Sequence, residues 1–160
     1  MLRAGAVRYL FLDRITAMEP PARARGLKCV SLSEDIYADH FAGSPVMPGA
    51  LVIEALSQLG GALLDEAAVS DGDVGRLALL VSIDRARFRR AAVPGDQLVL
   101  AVDTVMRREE GARLSAEARV GDHLVAEAEL GFVMSPDNPA ELVEERARLR
   151  ALWRHGRWYR

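Results

Sequence analysis

The sequence predicts an α+β fold in which a curved antiparallel sheet wraps one long helix. Three observations lead there. Residues 41–64 carry a single charged side chain, Glu54, where the chain's 28% of charged residues would place about seven. Several later segments alternate apolar and polar residues with period two. Loop signals at Pro20-Pro21, Ser70-Asp71-Gly72-Asp73, Pro94-Gly95-Asp96 and Ser135-Pro136-Asp137-Asn138-Pro139 cut the chain into pieces of element length.

The charge-poor window reads as a helix over about 48–66. Pro48 suits its first position, where a missing N–H costs nothing. Leu51, Val52, Ile53, Leu56, Leu59, Leu63 and Leu64 cover most of its circumference, and a helix apolar nearly all round is buried. Glu54, Gln58, Gly61 and Asp65 form one thin polar stripe. Strands follow from period two. Leu27, Cys29 and Ser31 alternate with Lys28, Val30 and Leu32, and Leu98, Leu100 and Val102 with Val99, Ala101 and Asp103. Residues 113–119 and 124–134 alternate in the same way, with one polar face, the sign of an antiparallel sheet solvated on one side. Residues 76–92 add a further strand or a bent pair. Turns at Glu109-Glu110-Gly111 and Gly121-Asp122 fit hairpins, so the strands are expected to run as a long meander. A last helix is expected at 139–153, with Asn138 as cap, Pro139 first, and acids early and arginines late along the dipole.

At 160 residues the chain is expected to form one domain, 1–134, with 135–160 as its C-terminal helical extension. A net charge of −2 argues against a general nucleic-acid binder. The lone cysteine, Cys29, permits no internal disulfide and fits a reducing cytoplasm. No signal peptide is expected at residues 1–14, and the longest uncharged stretch, 41–53, is too short to span a bilayer and contains two prolines. The expectation is a soluble cytoplasmic protein with no membrane partner.

Within the window, His40 lies in a Gly/Pro-constrained loop feeding a helix N-terminus, and Glu54 lies in that helix. Histidine titrates near neutrality and moves protons. Aliphatic neighbours are expected to raise the pKa of Glu54, making it a candidate general acid, while the helix N-terminus pulls the other way. The Gly49 N–H has no helical partner, and glycine admits a ligand close to the backbone, as an oxyanion donor requires. Base, acid and donor together suit proton abstraction beside a carbonyl. Taken singly, each has a plainer explanation: a structural loop histidine, a solvent-facing stripe, a tight turn entering a helix.

The string HFAGSPVMPGALVIEALSQLGG closely resembles the signature of the beta-hydroxyacyl-acyl-carrier-protein dehydratases of the FabZ type. FLDRI at 11–15, SIDRARFRRAAVPGDQL at 82–98 and AEAELGFV at 126–133 extend the similarity to about residues 10–134. The resemblance implies a hot-dog fold and homodimers, often trimers of dimers, with His40 of one chain meeting Glu54 of the other. It implies a hydro-lyase of fatty-acid biosynthesis that eliminates water from a (3R)-hydroxyacyl thioester on acyl carrier protein. In it Gly49 would polarise the thioester carbonyl, His40 take the C2 proton and Glu54 protonate the leaving hydroxyl. Gln58 would orient Glu54, and the Val46 carbonyl would hold the second ring nitrogen of His40. No metal or other cofactor is expected.

Where the family has proline after His-Phe, this chain has Ala42, which is expected to loosen the loop. The tail past Ser135 exceeds the family's usual end; its Trp153, Trp158 and Tyr159 suit either a contact with a neighbouring subunit or a frayed terminus. Arg85, Arg87, Arg89 and Arg90 are expected to steer the acidic carrier, with alternation placing the first three on one face; a solvated strand face is the plainer alternative. The alternatives to the main reading are a dehydratase of a specialised polyketide or polyene pathway and, more remotely, a hot-dog thioesterase. Acyl-chain length is not legible at this level.

Overall fold

The computed structural model describes residues 9–41 and 43–156. In chain order they form β1 (Arg14–Glu19), β2 (Arg23–Cys29), a short 3-10 turn (Asp35–Ala38), α1 (Gly49–Ser70), β3 (Leu77–Phe88), β4 (Gln97–Arg107), β5 (Gly111–Val120), β6 (His123–Ser135) and α2 (Ala140–His155). The six strands make one antiparallel sheet in the order β1-β2-β4-β5-β6-β3. Only β4-β5-β6 is a meander. β3 leaves α1 and lands at the far edge beside β6 instead of next to β4. Period two identifies a strand and its wet face but not its neighbour, so the simple meander inferred from the sequence is corrected here.

The core lies between α1 and the sheet. Leu56, Leu59, Leu63 and Leu64 of α1 are fully buried, as are Leu98, Leu100, Leu114 and Leu130 of the strands. Burying each leucine is worth about 1.5–3 kcal/mol, which is why this helix gave up its charges. Gly60 is buried against the sheet: a Cβ there would stand 3.2 Å from both Leu114 Cδ2 and Phe132 Cζ. A mid-helix glycine costs about 1 kcal/mol relative to alanine, and close helix–sheet contact offsets it.

α1 begins one residue later and ends four residues beyond the expected 48–66. Pro48 is the N-cap, with extended ψ of 132°, instead of the first helical residue. The polar pair Asp65-Glu66 does not mark the end, because Asp65 is buried and Ala67 and Ala68 continue the packed face. The helix stops where the Asp71 N–H returns to Ala67 O and Gly72 takes φ 88°. β2 lies over 23–29 and not 27–32. Its inward residues are Ala24, Gly26 and Lys28, too small or too polar to register as an apolar stripe. Lys28, the chain's one lysine, is 5% exposed and donates to Glu34 Oε1 at 2.8 Å.

β3 is one strand with register breaks at Leu80/Ser82 and Asp84/Arg87, the second holding Arg85 at φ 52°. No helix among the described residues is long and apolar enough to cross a membrane.

α2 docks on the polar stripe of α1. Pro139 is its N-cap, and the Asn138 side chain does not cap it, donating instead to Gly75 O and Ser135 O. Trp153 is 5% exposed and joins the core of its own chain, so neither a frayed end nor a contact reserved for a neighbour describes it. Ala42, Trp158 and Tyr159 lie outside the described residues.

Candidate active site

His40 follows the 3-10 turn, and backbone bonds hold it on both sides: its N–H donates to Ile36 O, and its O accepts from Val46 N–H. Phe41 and Ser44 exchange both backbone hydrogen bonds, closing the loop tip. The His40–Phe41 peptide is cis, and the two rings lie with centroids 4.2 Å apart. His40 Nδ1 sits 3.1 Å from Val46 O. A carbonyl only accepts, so Nδ1 is the donor in this contact. Val46 O thus fixes the orientation of the ring.

Glu54 is half-buried on α1, one turn before Gln58. Gln58 is clamped from three directions. Its Oε1 accepts from Phe11 N–H (2.9 Å) and Leu12 N–H (3.2 Å), and its Nε2 donates to Tyr9 O (2.9 Å) and Glu54 Oε1 (2.9 Å). With its oxygen spent on amides, the side chain can present only N–H to Glu54. The chain entering β1 thereby fixes one carboxylate oxygen through Gln58.

Gly49 opens α1, where an amide has no helical partner. The group that comes close to it in this chain is an aromatic ring: a Cβ on Gly49 would stand 2.5 Å from Phe88 Cε1. Val46, Met47, Gly49, Phe88, Arg89 and Arg90 border a cleft of about 410 Å³ at this helix end. Glu54 lines a different cavity, of about 240 Å³, with Gln58, Gly61, Leu80 and Phe132. His40 lines neither of these two. Among the described residues, no three His, Cys, Asp or Glu side chains gather as a metal site.

The four arginines split into two pairs. Arg85 and Arg87 lie on the outer sheet face among Asp103, Glu117, Glu127 and Glu129, whereas Arg89 and Arg90 border the cleft at Gly49. The bulge at Asp84/Arg87 and the end of β3 at Phe88 break the alternation that would have kept Arg85, Arg87 and Arg89 together. Arg85 pairs with Glu129 at 2.6 Å, Arg89 with Glu127 at 2.7 Å and Arg90 with Asp96 at 3.8 Å. Arg87 has no such pair among the described residues. Glu127, held by Arg89, sits below its ordinary pKa.

Two features escaped the sequence reading. Asp65, 1% exposed, accepts from Ala78 N–H (2.8 Å), Arg146 (2.8 Å) and Arg150 (3.2 Å). Burial pushes its pKa up, against the pull of Arg146, the Ala78 amide and Arg150. The i+4, i+3, i+4 stripe was the available signal; its partners lie 81 and 85 residues away. Second, Leu149 and Trp153 of α2 line the cavity that Glu54 opens onto.

The FabA-like domain family matches residues 5–129. The chain is 46% identical over 127 residues to the 3-hydroxyacyl-[acyl-carrier-protein] dehydratase FabZ of Desulforamulus reducens, covering 79% of this chain and 87% of that one. It is 44% identical over 129 residues to the FabZ of Pelotomaculum thermopropionicum, covering 79% and 88%. Among solved structures it is similar to the dehydratase heterocomplex ApeI:P from Xenorhabdus doucetiae, with TM-score 0.68, 15% identity and coverage of 86% and 89%. A hot-dog-like protein from Thermanaerovibrio acidaminovorans matches with TM-score 0.61, 23% identity and coverage of 81% and 92%. The sheet wrapped on α1 is the hot-dog fold, and the chain belongs to the FabA-like family.

Proposed function

We propose that this chain is a (3R)-hydroxyacyl-[acyl-carrier-protein] dehydratase, a hydro-lyase forming the trans-2-enoyl thioester of fatty-acid synthesis. The observation that carries it is the pair of prepared proton carriers: His40 with its Nδ1 proton committed to Val46, and Glu54 held by the clamped Gln58. Kinship to FabZ dehydratases at 36–46% identity supplies the reaction class.

The chemistry follows from these groups. The thioester carbonyl accepts from Gly49 N–H, which acidifies the C2 proton. His40 Nε2 takes that proton, its electron pair forms the C2–C3 double bond, and the C3–O bond breaks. Glu54 gives its proton to the departing oxygen, which leaves as water. His40 ends protonated and Glu54 ionised, and return of one proton from the first to the second resets the site.

The working site is composite: His40 of one chain faces Glu54 of a second copy. In support, β3 is an edge strand with Leu79, Val81 and Ile83 exposed, a surface that pairing with a second β3 would cover. A homodimer, assembled further into trimers of dimers, accommodates this. The acidic carrier docks beside the Gly49 cleft, where Arg89 and Arg90 stand, with Arg85 and Arg87 further out.

The test is turnover of 3-hydroxybutyryl or crotonyl thioester followed by ultraviolet absorbance. Glu54→Gln and His40→Ala should each lose roughly 10²–10⁴-fold. Full turnover by both would refute the assignment. Mixing the two inactive variants after subunit exchange should restore about a quarter of wild-type activity, since half the dimers are mixed and each has one intact site. No restoration despite proven exchange would place both groups in one chain. Charge reversal at Arg87 and Arg89 should raise KM for carrier-bound substrate and not for a short free thioester.

A further inference from the structure

Glu54 lines the 240 Å³ cavity, which is not built by the family's own elements alone. Its floor is α1 from Glu54 to Ala62, about 12 Å at the helical rise. One wall is the sheet, through Leu80 and Phe132. The other wall is α2, through Leu149 and Trp153, with the Arg146 and Arg150 guanidiniums beyond them. The family match ends at residue 129, so α2, at Ala140–His155, lies outside it.

The lining is that of an acyl binder. Ser57 gives its hydroxyl to Ile53 O, so the floor offers no free donor from it. Arg146 and Arg150 are matched by Asp65, and Gln58 is fully engaged. The Trp153 indole N–H is buried without an acceptor among the described residues, so the ring contributes shape and not a polar anchor. The rest of the lining is aliphatic and aromatic surface, as small-molecule sites for apolar ligands require.

We infer that α2 is the end wall of the acyl pocket, and that Leu149 and Trp153 set the longest acyl chain the site accepts. The inference rests on Glu54 being the acid of the dehydratase proposed above, because that places C3 of the substrate beside this cavity. The 240 Å³ space corresponds to roughly eight to ten carbons, scaling from the ~150 Å³ cavity that holds benzene. The preferred substrates are therefore short to medium, and longer chains meet Trp153.

The experiment uses the full chain and 3-hydroxyacyl carrier substrates of about four to about fourteen carbons, reading the ratio of kcat/KM for long over short chains. Leu149→Trp, which fills the cavity, should lower that ratio at least about tenfold. Trp153→Ala, which lengthens it, should raise the ratio and move the optimum by roughly two to four carbons. A general folding defect would depress all chain lengths together and could not move the two variants in opposite directions. Ratios within about twofold of wild type in both would overturn the inference. If Trp153→Ala fails to fold, Leu149→Trp alone decides. Were the wild type to dehydrate no 3-hydroxyacyl thioester, the dehydratase reading would fall by itself. Calorimetric binding of saturated acyl-pantetheines would then read the same length ceiling, and equal ceilings in wild type and Leu149→Trp would overturn it.

Discussion

Replacing Asp65 with alanine removes the acceptor on which α2 is hung. The carboxylate is 1% exposed and serves Ala78 N–H, Arg146 and Arg150 together. Without it, Arg150, itself 8% exposed, keeps Glu66 at 3.3 Å, and Arg146 keeps only Ala78 O. Breaking a buried ion pair costs about 3–5 kcal/mol, most of it from the charge left behind. Glu66 moderates this for Arg150, which argues for about 3 kcal/mol. The stranded Ala78 N–H adds ~1–3 kcal/mol, but neighbouring losses do not sum fully, so the expected total is about 3–4 kcal/mol. Urea titration followed by circular dichroism should show a midpoint lower by about 1.5–2 M at the slope usual for a small domain. Asp65→Asn keeps an oxygen for the Ala78 amide and should cost about 2 kcal/mol. A change within about 0.5 kcal/mol for Asp65→Ala would refute the reasoning, since it is what a surface substitution costs.

Three further outcomes are expected. Burial, reinforced by Glu34, pushes the Tyr37 hydroxyl up to about 12 from 10.0. The folded-state pKa exceeds the unfolded one, so the stabilisation is complete below pH 10, is lost as pH rises through about 12, and amounts to ~2–3 kcal/mol. Tyr37→Phe should abolish that loss in alkaline denaturation curves and, by removing a buried hydroxyl that lacks a partner among the described residues, leave neutral-pH stability equal or higher. Gly49→Ala drives a methyl to 2.5 Å from Phe88 Cε1. The ring is 55% exposed and can swing away, so the cost should be about 1 kcal/mol and should vanish in the Phe88→Ala background of a double-mutant cycle. Gln58→Leu keeps the volume but frees Glu54 and strands Tyr9 O, Phe11 N–H and Leu12 N–H. It should lower kcat by roughly 10²-fold with KM little changed, and lower stability by about 2–3 kcal/mol, measured by enoyl absorbance and thermal melting.

The polar stripe on α1 shows where the sequence stops being sufficient. Its spacing, Glu54, Gln58, Gly61, Asp65, was plain, and the charge-poor window around it placed the helix correctly in the core. Whether the stripe faced water or a site was open, because both give the same pattern. The structure divides it. At Glu54 and Gln58 the partners are backbone groups at Tyr9, Phe11 and Leu12, which carry no side-chain signal at all. At Asp65 they are arginines of a helix whose acids and bases are, by sequence, arranged as dipole complements. Local charge order in α2 reported on α2 alone; that Arg146 and Arg150 serve a buried acid depends on a contact spanning half the chain. The same limit hid the placement of β3, since its alternation is satisfied equally beside β4 or β6. The candidates His40, Val46, Gly49 and Glu54 were legible for the opposite reason: they lie within one loop and two helical turns, so the string shows them together, although only the local contact of His40 with Val46 can be read from that spacing.

The two ends of the stripe lie on one face of α1, and α2 side chains meet both: Leu149 and Trp153 line the cavity with Glu54, and Arg146 and Arg150 pair with Asp65. Glu54 is positioned by the chain entering β1, and the cavity beyond it is closed by a helix that Asp65 anchors. Loosening the anchor should therefore leave the Glu54–Gln58 bond intact while opening the far wall. Asp65→Asn, at a temperature where the fold persists, should broaden acyl-length selectivity before it lowers turnover of short substrates. Loss of both in parallel would mean that α2 supports the acid directly and does not merely bound the space behind it.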